Sequence, residues 1–396
     1  MTSMERTRTS FVLNFFNDQK TRSLLIQTAT LILVLLLVYL ILQNIAINLA
    51  SVGKEFSFDF LTYPAGYDIT FQPFVDYSPT DTHIWAGFIG LLNTLLIAVT
   101  GIFLATILGF ILGICRLSSN YLINKLSYLF VEFTRNVPVL LHIILIHSLI
   151  IHNLPVPKKA ISISESIHLT NRGFYIPQPI FEVGAVYVLS AFIISILIAF
   201  GYRIWAKRTQ EKTGKIYPIL PIIFLIVISI TSITFFSFGC PISLEYPTLS
   251  GFNFRGGLAI KPEYLALWFA LSYYTAAFIA EIVRGGILAI QKGQTEAAYA
   301  IGLTPNRTLQ LVVIPQALRI IIPPLASQYL NLTKNSSLAI AIGYMDIVAT
   351  LGGISLMQTG KEMETMIIVL LIYLICSLFI SFLMNIYNRS IRIKDR

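Results

Sequence analysis

Eight apolar runs of roughly 20 residues recur along the chain, near 24–46, 87–114, 126–151, 183–202, 217–238, 265–290, 317–345 and 366–387. That is the length an α-helix needs to cross the hydrocarbon of a bilayer. In hydrocarbon each backbone N–H and C=O must find its partner within the protein, which favours helices over any open strand. The runs predict an all-α polytopic membrane protein with about eight transmembrane helices. Composition agrees, since 56% of the 396 residues are hydrophobic and 12% are charged, against about a quarter charged in a soluble domain. The first run is too long for a cleavable signal peptide, and no small-x-small site closes it.

Lys and Arg orient these spans. With the N-terminus inside, nineteen of the 28 basic residues fall on inner segments and seven on outer ones, with Arg135 and Lys334 in or beside spans. This bias places both termini in the cytoplasm. It also accounts for the net charge of +9, so no nucleic-acid partner is needed. Residues 1–22 read as a cytoplasmic tail, with a short interfacial helix over Ser10–Lys20, and 389–396 as a second tail. Residues 23–86 hold the first span and an outer loop, acidic and rich in Tyr, Phe and Pro, that makes no domain. The outer loop from Asn153 to Glu182 looks too short to fold alone.

Catalytic and metal chemistry find no support. Cys115, Cys240 and Cys376 lie far apart without a CxxC, and His83, His142, His147, His152 and His168 show no ligand spacing. His147, in an apolar run, reads as a hydrogen-bonded structural histidine. No Gly-x4-Gly-Lys-Ser/Thr occurs, and no cytoplasmic stretch is long enough for a nucleotide-binding domain. The chain is therefore expected to be a non-enzyme that binds no cofactor, any driving ATP being hydrolysed on a partner chain. No internal repeat supports an inverted-repeat transporter.

Ionisable and amide groups within spans mark function or structural pairing. Glu132 with Arg135, and Glu281 with Arg284, stand three apart and reach each other on one helix face. Pro138 is expected to kink the third span. In the seventh span Ser327, Asn331, Lys334 and Asn335 share one helical face. Such a face lines a watery path or packs on a second subunit, rather than meeting lipid. Its amide, hydroxyl and ammonium groups suit an α-carboxylate and a polar side chain, with interhelical hydrogen bonding as the plainer alternative. Asn93 and Thr94 open the second span, where Gly101, Ala105, Gly109 and Gly113 form a small-residue stripe that predicts close helix packing.

Between the sixth and seventh spans lies EAAYAIGLTPNRTLQLVVIP, Glu296 to Pro315. Gln294–Ile301 reads as a short helix. Gly302 then takes its C′ position, Thr304 serves as N-cap and Pro305 is the first residue of a second helix. A DNA-binding helix-turn-helix is disfavoured, because Arg307 is the one cation between Glu296 and Pro315.

Glu296-Ala297-Ala298, Gly302 and Val312-x-Ile314-Pro315 resemble the coupling loop of bacterial ABC importer permeases. The likeness continues in NTLLIAVTGIFLATILGFILGICRLSSN, VEFTRNVP, LSYYTAAFIAEIVRGGILAIQKGQTEAA and VVIPQALRIIIPPLASQYLNLTKNSSLAIAIGY. It is nearest to the polar amino-acid permeases of the general L-amino acid and glutamate/glutamine/aspartate/asparagine type. The resemblance implies a type I core of five helices, spans two, three, six, seven and eight, with the first span and an inserted pair near 183–238 as extras. Residues 87–388 would then be the transmembrane domain and 291–316 its cytoplasmic loop.

By the same resemblance, Glu296, Ala297, Ala298, Gly302, Ile314 and Pro315 dock on an ATP-binding cassette subunit. A sister permease completes a heterodimer in the inner membrane, and a periplasmic amino-acid-binding protein delivers the substrate. The two Glu-x-x-Arg elements would stand near a cytoplasmic gate. Val312 replaces a commoner Ile, and Val137-Pro138 stands where many relatives have Gly-Thr-Pro. The main alternative is a gradient-driven amino-acid transporter using Glu132, Glu281 or Lys334 to couple protons. A membrane scaffold is a second.

Overall fold

A computed structural model describes residues 19–51 and 53–391. The interfacial helix expected over Ser10–Lys20 lies outside the described residues except for its last two positions, and the C-terminal tail does so from residue 392. Among the described residues seven helices are long and apolar enough to cross a membrane, and a bent pair makes an eighth.

The first helix, α1 (Gln19–Ser51), buries none of its apolar window against the rest of the chain. The centre of the molecule is the seam between α2 (His83–Cys115) and α7 (Pro262–Leu288). Lipid is as apolar as leucine, so this seam is held by close packing rather than by escape from water. The predicted small-residue stripe supplies it. A Cβ added at Gly113 would lie 2.7 Å from the Val283 side chain and 2.8 Å from the Ala280 carbonyl oxygen. The core continues through Ile97, Ala105, Leu267, Leu271 and Ile279 to Ile321 and Leu332.

The third apolar run is not one kinked span. It breaks into α3 (Tyr121–Asn136) and α4 (Val139–Asn153), which meet at 106°. Val137 is extended (φ −101°, ψ 134°), as the clash of a following proline ring demands, and Pro138 cannot donate across the break. The helix therefore stops and restarts where a kink was expected.

The inserted pair is a helical hairpin, α5 (Ala185–Thr213) and α6 (Ile219–Ser237), turned at Gly214 (φ +72°). The loops on either side of it are not irregular. β1 (Ile161–Ser164), β2 (Ile167–Thr170) and β3 (Gly173–Ile176) form an antiparallel sheet, joined after the hairpin by β8 (Leu258–Ile260). Phe174 pairs with Ile260 and Tyr175 with Ala259. Two two-stranded ribbons accompany it: β4 (Gln178–Phe181) with β5 (Ile242–Glu245), and β6 (Thr248–Ser250) with β7 (Asn253–Arg255). Each loop forms strand pairs of its own, and β3–β8 and β4–β5 join the two into a small β layer on a helical protein.

After α7 come α8 (Lys292–Ala300), α9 (Pro305–Thr308), a π-helical stretch Leu309–Val313, and α10 (Ile314–Asn335). Pro323 and Pro324 remove two donors from α10, yet the helix continues through them. A 3-10 stretch, Ser336–Ile342, ends at Gly343 (φ +79°). The chain then folds back through Val348–Ser355 and α11 (Leu356–Thr359) to Gly360 (φ +63°), and leaves as α12 (Glu362–Ile391). This fold-back segment was not foreseen; the apolar pattern ends the seventh span near 345 and leaves the residues up to 366 without a structure.

Candidate coupling loop and translocation face

The loop between α7 and α10 has the geometry its punctuation predicts. α8 ends in two crossed bonds, Gly302 N–H to the Tyr299 carbonyl at 2.9 Å and Leu303 N–H to the Ala298 carbonyl at 3.1 Å. These define a Schellman turn with glycine at C′, and Gly302 has φ +84°. Thr304 is extended ahead of Pro305, as an N-cap is, but its hydroxyl makes no capping bond. From Pro305 to Ile342 the chain is one 38-residue helical run. The run passes through the π-helical stretch, Pro323-Pro324 and the 3-10 stretch without leaving helical conformation.

Glu296, Ala297 and Gly302 are exposed, Ala298 is buried, Ile314 is exposed and Pro315 is half-buried. The loop also exposes apolar side chains that the motif did not single out: Ile301 is 79% exposed, Leu311 64% and Tyr299 48%. The loop thus presents a carboxylate beside exposed apolar side chains.

The two Glu-x-x-Arg elements are not separate pairs. Arg284 bonds Glu281 at 2.6 Å, and Arg135 stands 3.7 Å from Glu132. Arg116, at the C-terminal end of α2, contacts Glu281 directly and reaches Glu132 at 3.7 Å. Its side chain is only 7% exposed. It also lies over the Tyr128 ring, while Arg135 lies over Phe278. Five charges from α2, α3 and α7 thus make one network. Arg116 carried no signal in sequence beyond its vote for the inner side.

On α10, Ser327, Asn331 and Lys334 are exposed and Asn335 is half-buried. Their neighbours Thr333 and Ser336 are buried and donate back to the Tyr329 and Thr333 carbonyls. The expected face exists and points away from its own subunit. A buried acid was missed altogether: the Asp346 carboxylate accepts from Ala349 N–H at 2.8 Å and from the Tyr373 hydroxyl at 3.3 Å. Its place just beyond the polar cluster, before a run of small residues, was the available hint. His147 corrects the expectation, for its buried Nε2 has no hydrogen-bond partner among the described residues. The bonded histidine of that helix is His142, whose Nδ1 meets the Tyr273 hydroxyl at 2.8 Å. The loop before α2 packs as well. Burial pushes the Tyr67 and Tyr77 phenols above their ordinary range, so both stay protonated.

Residues 216–393 match a family described as binding-protein-dependent transport system inner membrane component. The chain is 44% identical over 379 residues to the general L-amino acid transport system permease protein AapQ of Rhizobium johnstonii, covering 96% of this chain and 94% of the relative. It is 45% identical over 414 aligned positions to the glutamate/glutamine/aspartate/asparagine transport system permease protein BztB of Rhodobacter capsulatus, covering 96% of each. With such identity over nearly the full length of both relatives, the chain belongs to the inner-membrane permease components of binding-protein-dependent ABC transport systems, in the amino-acid permease branch.

Proposed function

We propose that this chain is one half of the translocation path of an importer for polar L-amino acids, driven by ATP hydrolysed on a separate cassette subunit. The observation that carries the reading is the continuous rod from Pro305 to Ile342. One end abuts the exposed loop, and the other bears Ser327, Asn331, Lys334 and Asn335. Closure of the cassette subunits moves the loop, the rod transmits the motion, and the polar face changes its side of access. The chain itself holds no ATP and makes no covalent bond. Glu296, Ala297, Ala298, Gly302, Ile314 and Pro315 form the cassette contact.

The α10 face meets a sister permease, in a heterodimer, across the path. There Lys334 attracts a carboxylate, while the amides and hydroxyl bond the polar side chain. A periplasmic binding protein docks on the outer side, and both termini lie in the cytoplasm, which the Lys and Arg bias supports. The arginine network supports a cytoplasmic gate formed by Glu132, Arg135, Glu281 and Arg284. No specific observation favours the gradient-driven reading: Glu132 and Glu281 each sit in ion pairs rather than alone as proton carriers.

The test is ATPase activity of the assembly reconstituted with cassette, sister permease and binding protein. The binding protein loaded with glutamate, glutamine, aspartate or asparagine is expected to stimulate hydrolysis, and competition ranks the substrates. An ATPase indifferent to every loaded binding protein would overturn the proposal.

A further inference from the structure

Asn93 and Thr94 take no part in the loop or the α10 face, yet both are buried. The Asn93 amide donates to the Phe71 carbonyl at 2.9 Å and to the Met345 carbonyl at 3.0 Å. The Tyr344 hydroxyl donates to the Asn93 carbonyl at 3.1 Å. Thr94 Oγ1 accepts from Ile347 N–H at 3.1 Å and donates to the Gly90 carbonyl at 2.9 Å. Two consecutive residues of α2 thereby hold two segments that are strangers in sequence: the outer loop near Phe71 and the start of the fold-back segment.

The outer loop is a wedge. Asn93 lies ten residues along α2 from His83, ~15 Å at the rise of an α-helix, and the loop reaches down to it. Ile69 is fully buried, and the Phe71 ring packs against Tyr264 and Tyr344 at 5.3 and 6.2 Å. Nearer the surface the same loop is tied to the far end of the fold-back segment. The Tyr67 hydroxyl and His83 Nδ1 both meet Ser355 Oγ, at 3.0 and 2.8 Å, and Lys54 pairs with Glu362 at 2.9 Å.

The segment has the marks of a moving part. It is bracketed by Gly343 and Gly360, both left-handed, and it contains the π-helical stretch Val348–Ser355, a rare conformation that is frequent at functional sites. Its first turn is capped by Asp346, which Tyr373 links onward to Ser336 at the end of α10, at 3.3 Å on each side. Asn93 Oδ1 is buried with no hydrogen-bond partner among the described residues. A native orphan acceptor of this kind marks an arrangement that does not satisfy every group it buries.

We propose that Asn93 and Thr94 are positioning residues of an outer closure. They pin the wedge, residues 67–72, and the fold-back segment, residues 343–360, over the outer end of the α10 face. Release of the pin lets the segment swing on Gly343 and Gly360. The inference rests on the reading of that face as the path.

The test uses the full reconstituted assembly with Cys115, Cys240 and Cys376 replaced and I69C introduced. Labelling of I69C by a membrane-impermeant maleimide is expected to be slow at rest and fast when the assembly is trapped with ATP, vanadate and binding protein. Thr94→Val leaves Ile347 N–H without its acceptor and is expected to raise resting labelling about tenfold, the factor given by one lost hydrogen bond of ~1.4 kcal/mol. Thr94→Ser keeps the hydroxyl and the slow rate. An exposed control, I180C, should label alike in every background.

Resting I69C that stays as protected in Thr94→Val as in the parent would overturn the proposal. Should Thr94→Val fail to assemble, joining K54C to E362C with a short bifunctional thiol linker decides the matter. The tie is expected to stop uptake while ATP hydrolysis continues, and full uptake through the tied assembly refutes the closure. Parent uptake that ignores ATP defeats the transport reading and the closure with it. ATP-dependent uptake with I69C equally protected at rest and when trapped defeats the closure alone.

Discussion

Arg116 is the keystone of the charge network joining α2, α3 and α7, and its removal has a cost that can be worked from the contacts. Arg116→Met keeps most of the side-chain volume and deletes the charge. Glu281 then retains Arg284 at 2.6 Å, and Glu132 retains Arg135 at 3.7 Å. Neither carboxylate is orphaned, so the penalty for an unpaired buried charge, ~3–5 kcal/mol, does not apply. What is lost is one charge-assisted contact to Glu281, worth about 1.5–3 kcal/mol. The looser pair to Glu132, whose side chain is 34% exposed, adds at most ~1 kcal/mol. We expect about 2 kcal/mol in total.

The reverse change costs more. Glu281→Gln leaves the Arg116 guanidinium, 7% exposed, with only the 3.7 Å partner, and approaches the orphaned-charge figure of ~3 kcal/mol. The double variant removes both members of the pair, and the cycle should return a coupling energy of about 1–2 kcal/mol. The assay is denaturant or thermal unfolding of the purified assembly, with each variant beside its parent. A coupling energy indistinguishable from zero, or Arg116→Met costing more than Glu281→Gln, would refute the network.

Three further outcomes follow from other parts of the molecule. Gly302→Val places a β-branched residue at φ +84° with open space around its Cβ, so its cost of roughly 1–3 kcal/mol is backbone strain confined to the turn; uptake and cassette retention on co-purification should fall while membrane insertion is unchanged. Gly302→Ala should fall between Gly302→Val and the parent. Gly113→Val forces a side chain against the Ala280 backbone 2.8 Å away and should cost at least ~1–3 kcal/mol, seen as loss of monodisperse protein on size exclusion. Asn331→Leu and Lys334→Met remove side-chain groups that make no hydrogen bond or ion pair among the described residues, so thermal stability should hold while amino-acid uptake drops at least tenfold.

The sequence announces what is periodic or punctuated and conceals what depends on distant partners. Gly302, Thr304 and Pro305 spell out the turn because backbone conformation there is a local property. The α10 face was legible because helical spacing alone brings Ser327, Asn331 and Lys334 together. Arg116 was not, since its carboxylates come from two other helices. The β layer escaped notice because its strands are only three or four residues long and β8 reaches β3 across the intervening hairpin, and Asp346 because its partner Tyr373 comes from a different helix. Pro138 was seen, but the 106° turn depends on how α3 and α4 pack on α7.

The central claim is that ATP on a partner chain, through this permease, drives amino-acid entry. The direct measurement is uptake of labelled amino acid into vesicles holding the full assembly, with and without internal ATP, under a proton ionophore. The account predicts uptake that requires ATP and binding protein and is unchanged by the ionophore. Uptake that persists without ATP and collapses with the ionophore would contradict it, and would turn attention to Glu132, Glu281 and Lys334 as proton-coupling groups.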